Sequence, residues 1–274
     1  DEGSCCFSNA DCLSNECKAL VKPFVETVSG QVYSGGEIQA GEAPPIYNAT
    51  YCLQSGGLIT NFTSELGCAL SGSTVYEIPK PEKNYVGSFG AIDVNGILNG
   101  KYGALLQPGS LPDRLDGKIY YFPSGLTIGA PIEFKNSSGA ARANGLVIVK
   151  GDLVIDGDLT YQDRNESDLK NLASIGWIVL RDGAGGGNVY VGPTVNRSVG
   201  AFFAEETIDT GGGTTPFEAT GVFVAKKFEF KREYASRTSG SERVIFDARV
   251  ILNPPPGLSD ATRSLPGFRS TAGR

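Results

Sequence analysis

The chain has 274 residues, 24 Lys and Arg against 30 Asp and Glu, and a net charge of −6. This acidic balance without a basic cluster argues against nucleic acid and anionic membranes as partners, and no apolar window of about 18 residues spans a bilayer. Histidine is absent, which excludes Ser-His-Asp triads, Cys-His dyads and His-ligated zinc or iron; methionine is absent too, so Asp1 is read as following a removed leader or as opening a fragment.

Residues 1–19 read as a Cys-rich module. Cys5, Cys6, Cys12 and Cys17 crowd into a segment too short to bury a core of its own, and Cys52 and Cys68 complete an even set of six. Six thiols allow fifteen pairings; the preferred one joins Cys52 to Cys68 and closes the first four on themselves. Zinc is the rival, but adjacent Cys5 and Cys6 fit its usual C-x2–4-C spacing poorly. Sequons at Asn48, Asn61, Asn136, Asn165 and Asn196 agree with an extracytoplasmic location and mark candidate glycosylation sites. Residues 20–90 mix short apolar runs with turn residues and read as a β-rich segment.

From residue 91 to 253 the pattern sharpens. Glycine is 37 of 274 residues, roughly twice the usual share of about 7 %, and it punctuates short apolar runs. These include Ile119–Phe122, Leu146–Val149, Leu153–Ile155, Trp177–Leu180, Val189–Val191, Ala201–Ala204, Val222–Ala225, Phe228–Phe230, Val244–Phe246 and Val250–Leu252. Each is too short for a helix and rich in β-branched or aromatic residues. Similar blocks begin at Gly176, Gly200, Gly221 and Arg243, at steps of 24, 21 and 22 residues. A second set trails them at Val189–Val191, Thr207–Asp209, Phe228–Phe230 and Val250–Leu252. A period near 22 with two or three short strands predicts a right-handed β-solenoid, with rungs stacked about 4.8 Å apart. A β-sandwich is the alternative, supported by turn signals at Asn95-Gly96, Asp116-Gly117 and Asp156-Gly157.

Residues 151–168 hold the densest carboxylates. Alternation places Leu153, Ile155 and Leu159 on one side and Asp152, Asp156 and Asp158 on the other. Three aligned acids are a candidate Ca²⁺ site; the plain reading is a solvated strand face. With Asp163 beside Arg164, the same acids are the candidates for glycosidase or lyase chemistry, which needs two carboxyls held in a cleft. The stretch 168–175 predicts a two-turn amphipathic helix burying Leu169 and Leu172. Gly183–Gly187 and Gly211–Gly213 read as turns, because no helix N-terminus follows to cradle a phosphate. Lys226, Lys227, Lys231 and Arg232 around Phe228–Phe230 predict a charged outer strand, Trp177 a core residue, and Tyr120, Tyr121 and Tyr190 candidates for stacking on sugars. Pro254-Pro255-Pro256 opens a predicted extended tail to Arg274.

At GLVIVKGDLVIDGDLTY, residues 145–161, the chain is similar to the glycine-punctuated rungs of bactofilins. The longer stretch 145–260, with NLASIGWIVL, VGAFFAEETIDTG, GVFVAKKFEF and RVIFDARVILNPPPGLSD, resembles β-solenoid surface or pilus-associated proteins of uncultivated bacteria. That resemblance implies a surface or filament role and carries no catalytic motif. The sequence therefore predicts an extracellular structural protein without a cofactor. It would be a filament subunit self-assembling through its termini, or an adhesin for surface glycans. A carbohydrate-active β-helix enzyme and a monomeric glycan-binding module are the alternatives.

Overall fold

The structure, a computed structural model, describes residues 92–139, 141–163, 168–233 and 241–259, with the backbone of six strands between residues 24 and 66. All six cysteines, Asn61, Asn165 and residues 260–274 lie outside the described residues.

The fold is all-β, a parallel β-solenoid with three faces. On the first face Ile119–Phe122, Asn144–Lys150, Ser174–Asp182, Arg197–Ala204 and the middle of Phe217–Phe230 stack in register. The second face stacks Leu126–Ile128, Leu153–Ile155, Val189–Val191, Thr207–Asp209 and the end of Phe217–Phe230. The third holds Ile132–Phe134 paired with Leu159–Tyr161, and Arg197–Ala204, Phe217–Phe230 and Glu242–Ile245 paired through their opening residues. Among the described residues only Arg181–Asp182 and Gly185–Gly186 pair antiparallel. A sandwich of antiparallel hairpins is thereby excluded, and Gly183–Gly187 is the turn its composition predicts.

Alternation along each strand builds the interior. Tyr120, Val147, Trp177, Phe202 and Phe223 occupy one register column and are all buried. Trp177 stacks on Phe202 at 5.4 Å and 14°, and Phe202 on Phe223 at 5.0 Å and 11°. The intervening residues point outward and are buried as well. Leu146, Ile148, Ile178, Phe203, Val222 and Val224 form a second core with Ile97 and with Val250 and Leu258. Two straps, around the helix Val94–Leu98 and along residues 249–258, cover the outside of the first face. Burial on both sides is why these strands read as continuous apolar runs rather than alternating ones. Of the predicted tail, residues 254–259 belong to this strap: Leu258 is fully buried, and Asn144 Nδ2 donates to Pro254 O at 2.6 Å.

The corner between the third and first faces needs glycine. Gly200 and Gly221 are register partners with φ of 130° and 142°. A Cβ on Gly221 would lie 2.0 Å from Gly200 O, well inside van der Waals contact.

Three elements differ from the sequence expectation. Residues 168–175 form one 3₁₀ turn, Leu169–Asn171, capped by the Asp168 side chain, and then enter the strand at Ser174. A two-turn helix is marginal alone, and ladder pairing of Ser174 with Asn144 prevails; Leu169 is exposed while Leu172 is buried. Val250–Leu252 lies in a short helix, Arg249–Leu252, entered where Asp247 Oδ1 accepts the Arg249 N–H at 3.0 Å. The Arg243 block pairs with Glu218–Thr220 on the third face, not with the Gly221 block on the first.

The N-terminal strands join the same sheet out of sequence. Phe24–Val28 pairs with Glu242–Ile245, and Tyr33–Ala40 pairs with Phe217–Phe230. Ile46–Ala49, Gln54–Ser55, Ile59–Thr60 and Thr63–Leu66 add further parallel rungs. The end of the solenoid made by the last C-terminal coil is thus extended by the beginning of the chain.

Candidate functional site

The acidic stretch stitches rungs together. Asp152 Oδ1 accepts the Asn188 N–H at 3.1 Å and Asn188 Nδ2 at 2.9 Å. Asn188 Oδ1 accepts the Thr207 N–H at 3.2 Å. Asp158 Oδ1 accepts the Asn196 and Arg197 N–H groups at 2.7 and 3.2 Å. Carboxylates that take backbone donors at corners satisfy groups the ladder leaves open. Asp156 is exposed at the end of its strand. Asp163 contributes its carbonyl to Asn136 Nδ2 at 3.1 Å. The structure does not bring Asp152, Asp156 and Asp158 together: among the described residues no three His, Cys, Asp or Glu side chains converge on a metal position.

Among the described residues the second face differs from the first in having no strap. Its outward positions run in columns across the rungs. Thr127, Val154, Tyr190, Asp209 and Glu229 form one, and Asp152, Asn188, Thr207 and Lys227 the next. Four large hydrophobic side chains are exposed among the described residues: Leu106, Leu169, Tyr190 and Leu252. Tyr190 is the aromatic one, 41 % exposed, and sits mid-face. Partial burial raises its phenol pKa, and the carboxylates of Asp152, Asp209 and Glu229 add to that rise. Lys231 Nζ bridges Asp209 and Glu229 at 2.7 and 2.6 Å, and Lys227 Nζ reaches Glu229 at 2.7 Å. The result is a surface with one ring beside hydrogen-bonded amide and ion-paired carboxylate groups. The other two tyrosines do not share this exposure. Tyr120 is buried and its hydroxyl donates to Leu115 O at 3.0 Å, while Tyr121 packs beneath the straps.

One charged residue behaves against the sequence reading, and a second is buried beside it. Arg232, expected on an outer strand, is fully buried. Its guanidinium donates to the carbonyls of Gly192, Pro193 and Thr210 at 2.7, 2.6 and 2.9 Å and lies over the Phe217 ring. Glu242 is 1 % exposed, and burial pushes its carboxyl up to about 7. Nothing in their spacing separates them from surface charges; the signal is their position at a corner and at a strand start in a chain whose strands stack.

Of the candidate glycosylation sites, Asn196 is exposed, whereas Asn136 is buried. The Asn136 amide donates to Asp163 O at 3.1 Å and accepts the Ala173 N–H at 2.9 Å, so its nitrogen is occupied in the folded chain. Asn48 lies within the strand Ile46–Ala49.

No family model and no curated protein matches the chain. Among solved structures it is similar to the DUF3494 domain of ice-binding protein 1 of Shewanella frigidimarina, at 14 % identity and a TM-score of 0.33, over 82 % of this chain and 94 % of that one. No helix among the described residues is long and apolar enough to cross a membrane.

Proposed function

We propose that this chain is a non-enzymatic protein displayed outside the cell, whose solenoid is a scaffold holding one open sheet face against a polysaccharide. The observation that carries the reading is the second face: in register, uncovered by either strap, and centred on exposed Tyr190 beside the Asp152–Asn188–Thr207 ladder. A pyranose presents C–H groups on its ring faces and hydroxyls around its edge. An exposed tyrosine takes the former by stacking, and hydrogen-bonded amides and carboxylates take the latter at low entropic cost because they are already ordered.

Two further features support scaffold over enzyme and over filament. Asp152 and Asp158, the carboxylates best placed for acid–base work, already accept backbone donors. The N-terminal strands, which could complete a neighbour's sheet, complete this chain's own last coil. Six cysteines in an N-terminal stretch fit an oxidising compartment.

The test is retention on insoluble cellulose and chitin, with light scattering on the same sample. The proposal expects a 28.8 kDa monomer retained by at least one of the two, and a loss of affinity of about tenfold in Tyr190→Ala, the scale of a buried aromatic contact. Unchanged retention in Tyr190→Ala, or no retention on either solid, overturns it. Ordered filaments in the electron microscope would return the filament reading to the front.

A further inference from the structure

We infer that Glu242 is a protonation-controlled latch on the seam where the N-terminal strands dock onto the solenoid. The geometry begins with register. Glu242 opens the strand Glu242–Ile245 and is the partner of Phe217 on one side and Val25 on the other. On the third face this strand is the link between the sequential coils and the N-terminal block. Its carboxyl points inward. Oε1 accepts the Thr210 hydroxyl and the N–H groups of Lys231 and Arg232 at 2.9 and 2.8 Å. Oε2 is buried and has no hydrogen-bond partner.

The residue also lines a cavity of about 20 Å³, whose walls include Phe202, Phe217, Phe223, Phe228 and Phe230. A cavity of that size holds about one water, too little to hydrate a carboxylate. The buried hydroxyl of Ser198, on the same wall, also has no partner.

Among the described residues no cation makes a salt bridge with this carboxyl, and Arg232 acts on it only as a nearby charge. The Arg232 guanidinium is held by the carbonyls of Gly192, Pro193 and Thr210. Lys231 Nζ is paired with Asp209 and Glu229, and Arg243 with Glu218 on the outer side. The strand Phe24–Val28 has one ionisable residue, Glu26, at the register position of Arg243. Burial beside an apolar cavity favours the neutral carboxyl, whereas the three donors on Oε1 and the nearby Arg232 charge favour the anion, so the site is poised between the two forms. Protonated, Glu242 keeps its three donors and the seam stays closed. Ionised, it favours opening of the seam, and the strands released are Phe24–Val28 and Tyr33–Ala40.

Hydrogen exchange on the full chain tests this, with the strand Asn144–Lys150 as the internal reference at each pH. Between pH 5.5 and 8.5, protection of Phe24–Val28 and Tyr33–Ala40 is expected to fall by tenfold or more relative to the reference. In Glu242→Gln, which cannot ionise, the ratio should stay level. A level ratio in the unmodified chain, or an equal fall in Glu242→Gln, overturns the latch. Should the variant fail to fold, the carbon-13 titration of Glu242 in the unmodified chain decides: a midpoint near neutrality supports the latch, and one near 4.5, the ordinary glutamate value, refutes it.

Discussion

Replacing Phe202 by alanine removes the middle ring of the interior stack. Phe202 is 1 % exposed and lies between Trp177 at 5.4 Å and Phe223 at 5.0 Å, stacked nearly parallel to both. Truncating a buried phenylalanine costs about 3–5 kcal/mol through lost transfer energy and the cavity left behind. The site opens onto an existing void, so neighbouring rings have little reason to collapse into the space, and the upper half of that range is expected. Each stacked pair adds about 0.5–1.5 kcal/mol beyond its area, a contribution that Phe202→Leu removes while leaving most of the volume. Phe202→Leu should therefore lose about 1–2 kcal/mol and Phe202→Ala about 4 kcal/mol. Urea unfolding followed by the single Trp177, whose indole packs against this ring, reads both. A midpoint shift with unchanged slope is expected. A loss below about 1 kcal/mol in Phe202→Ala, or equal losses in the two variants, would refute the aromatic ladder as the organising column of the core.

Three other outcomes follow from the same geometry. Gly221→Ala should fold poorly or not at all, because its Cβ would meet Gly200 O at 2.0 Å and its φ is 142°; circular dichroism melting checks it. Asp158→Ala leaves the N–H groups of Asn196 and Arg197 without their acceptor and should lose about 1–2 kcal/mol, whereas Asp156→Ala, an exposed residue, should lose less than about 0.5 kcal/mol. Because burial raises the Glu242 carboxyl from 4.5 to about 7, the folded chain holds its proton more tightly than the unfolded chain. The associated stability is fully present below pH 4.5 and is lost as pH rises towards 7, a decline of about 3 kcal/mol that denaturant titrations at pH 4.5 and 8 should show and Glu242→Gln should abolish.

The rungs were legible because solenoid strands repeat one burial pattern. Spacing of the Gly176, Gly200 and Gly221 blocks located three successive coils, and the trailing set located the second face. The period misled at its ends. Arg243 keeps the step of the earlier blocks yet pairs on the third face, and Val250–Leu252 has strand composition in a helix, since its apolar side chains face a strap rather than a ladder. The straps themselves left only an indirect trace, the unbroken apolar runs of strands buried on both sides. The docking of the strands Phe24–Val28 and Tyr33–Ala40 left none, because stacking onto a distant coil requires the same short strands as stacking onto the next one. At the candidate site, Tyr190 was visible as one tyrosine among several, and its exposure follows from lying on the face without a strap. Asp152 and Asp158 were visible as carboxylates, but their roles depend on Asn188, Asn196 and Arg197, residues more than thirty positions away that only the rung geometry brings to them.

The most direct measurement of the central claim is a hydrogen-exchange footprint of the chain bound to the polysaccharide that retains it. The scaffold reading predicts slowed exchange in Val189–Val191 and Thr207–Asp209, on the open second face, with none added at Ile119–Phe122 beneath the straps. Protection confined to the third face, or a bound chain with no protection around Tyr190, would contradict it.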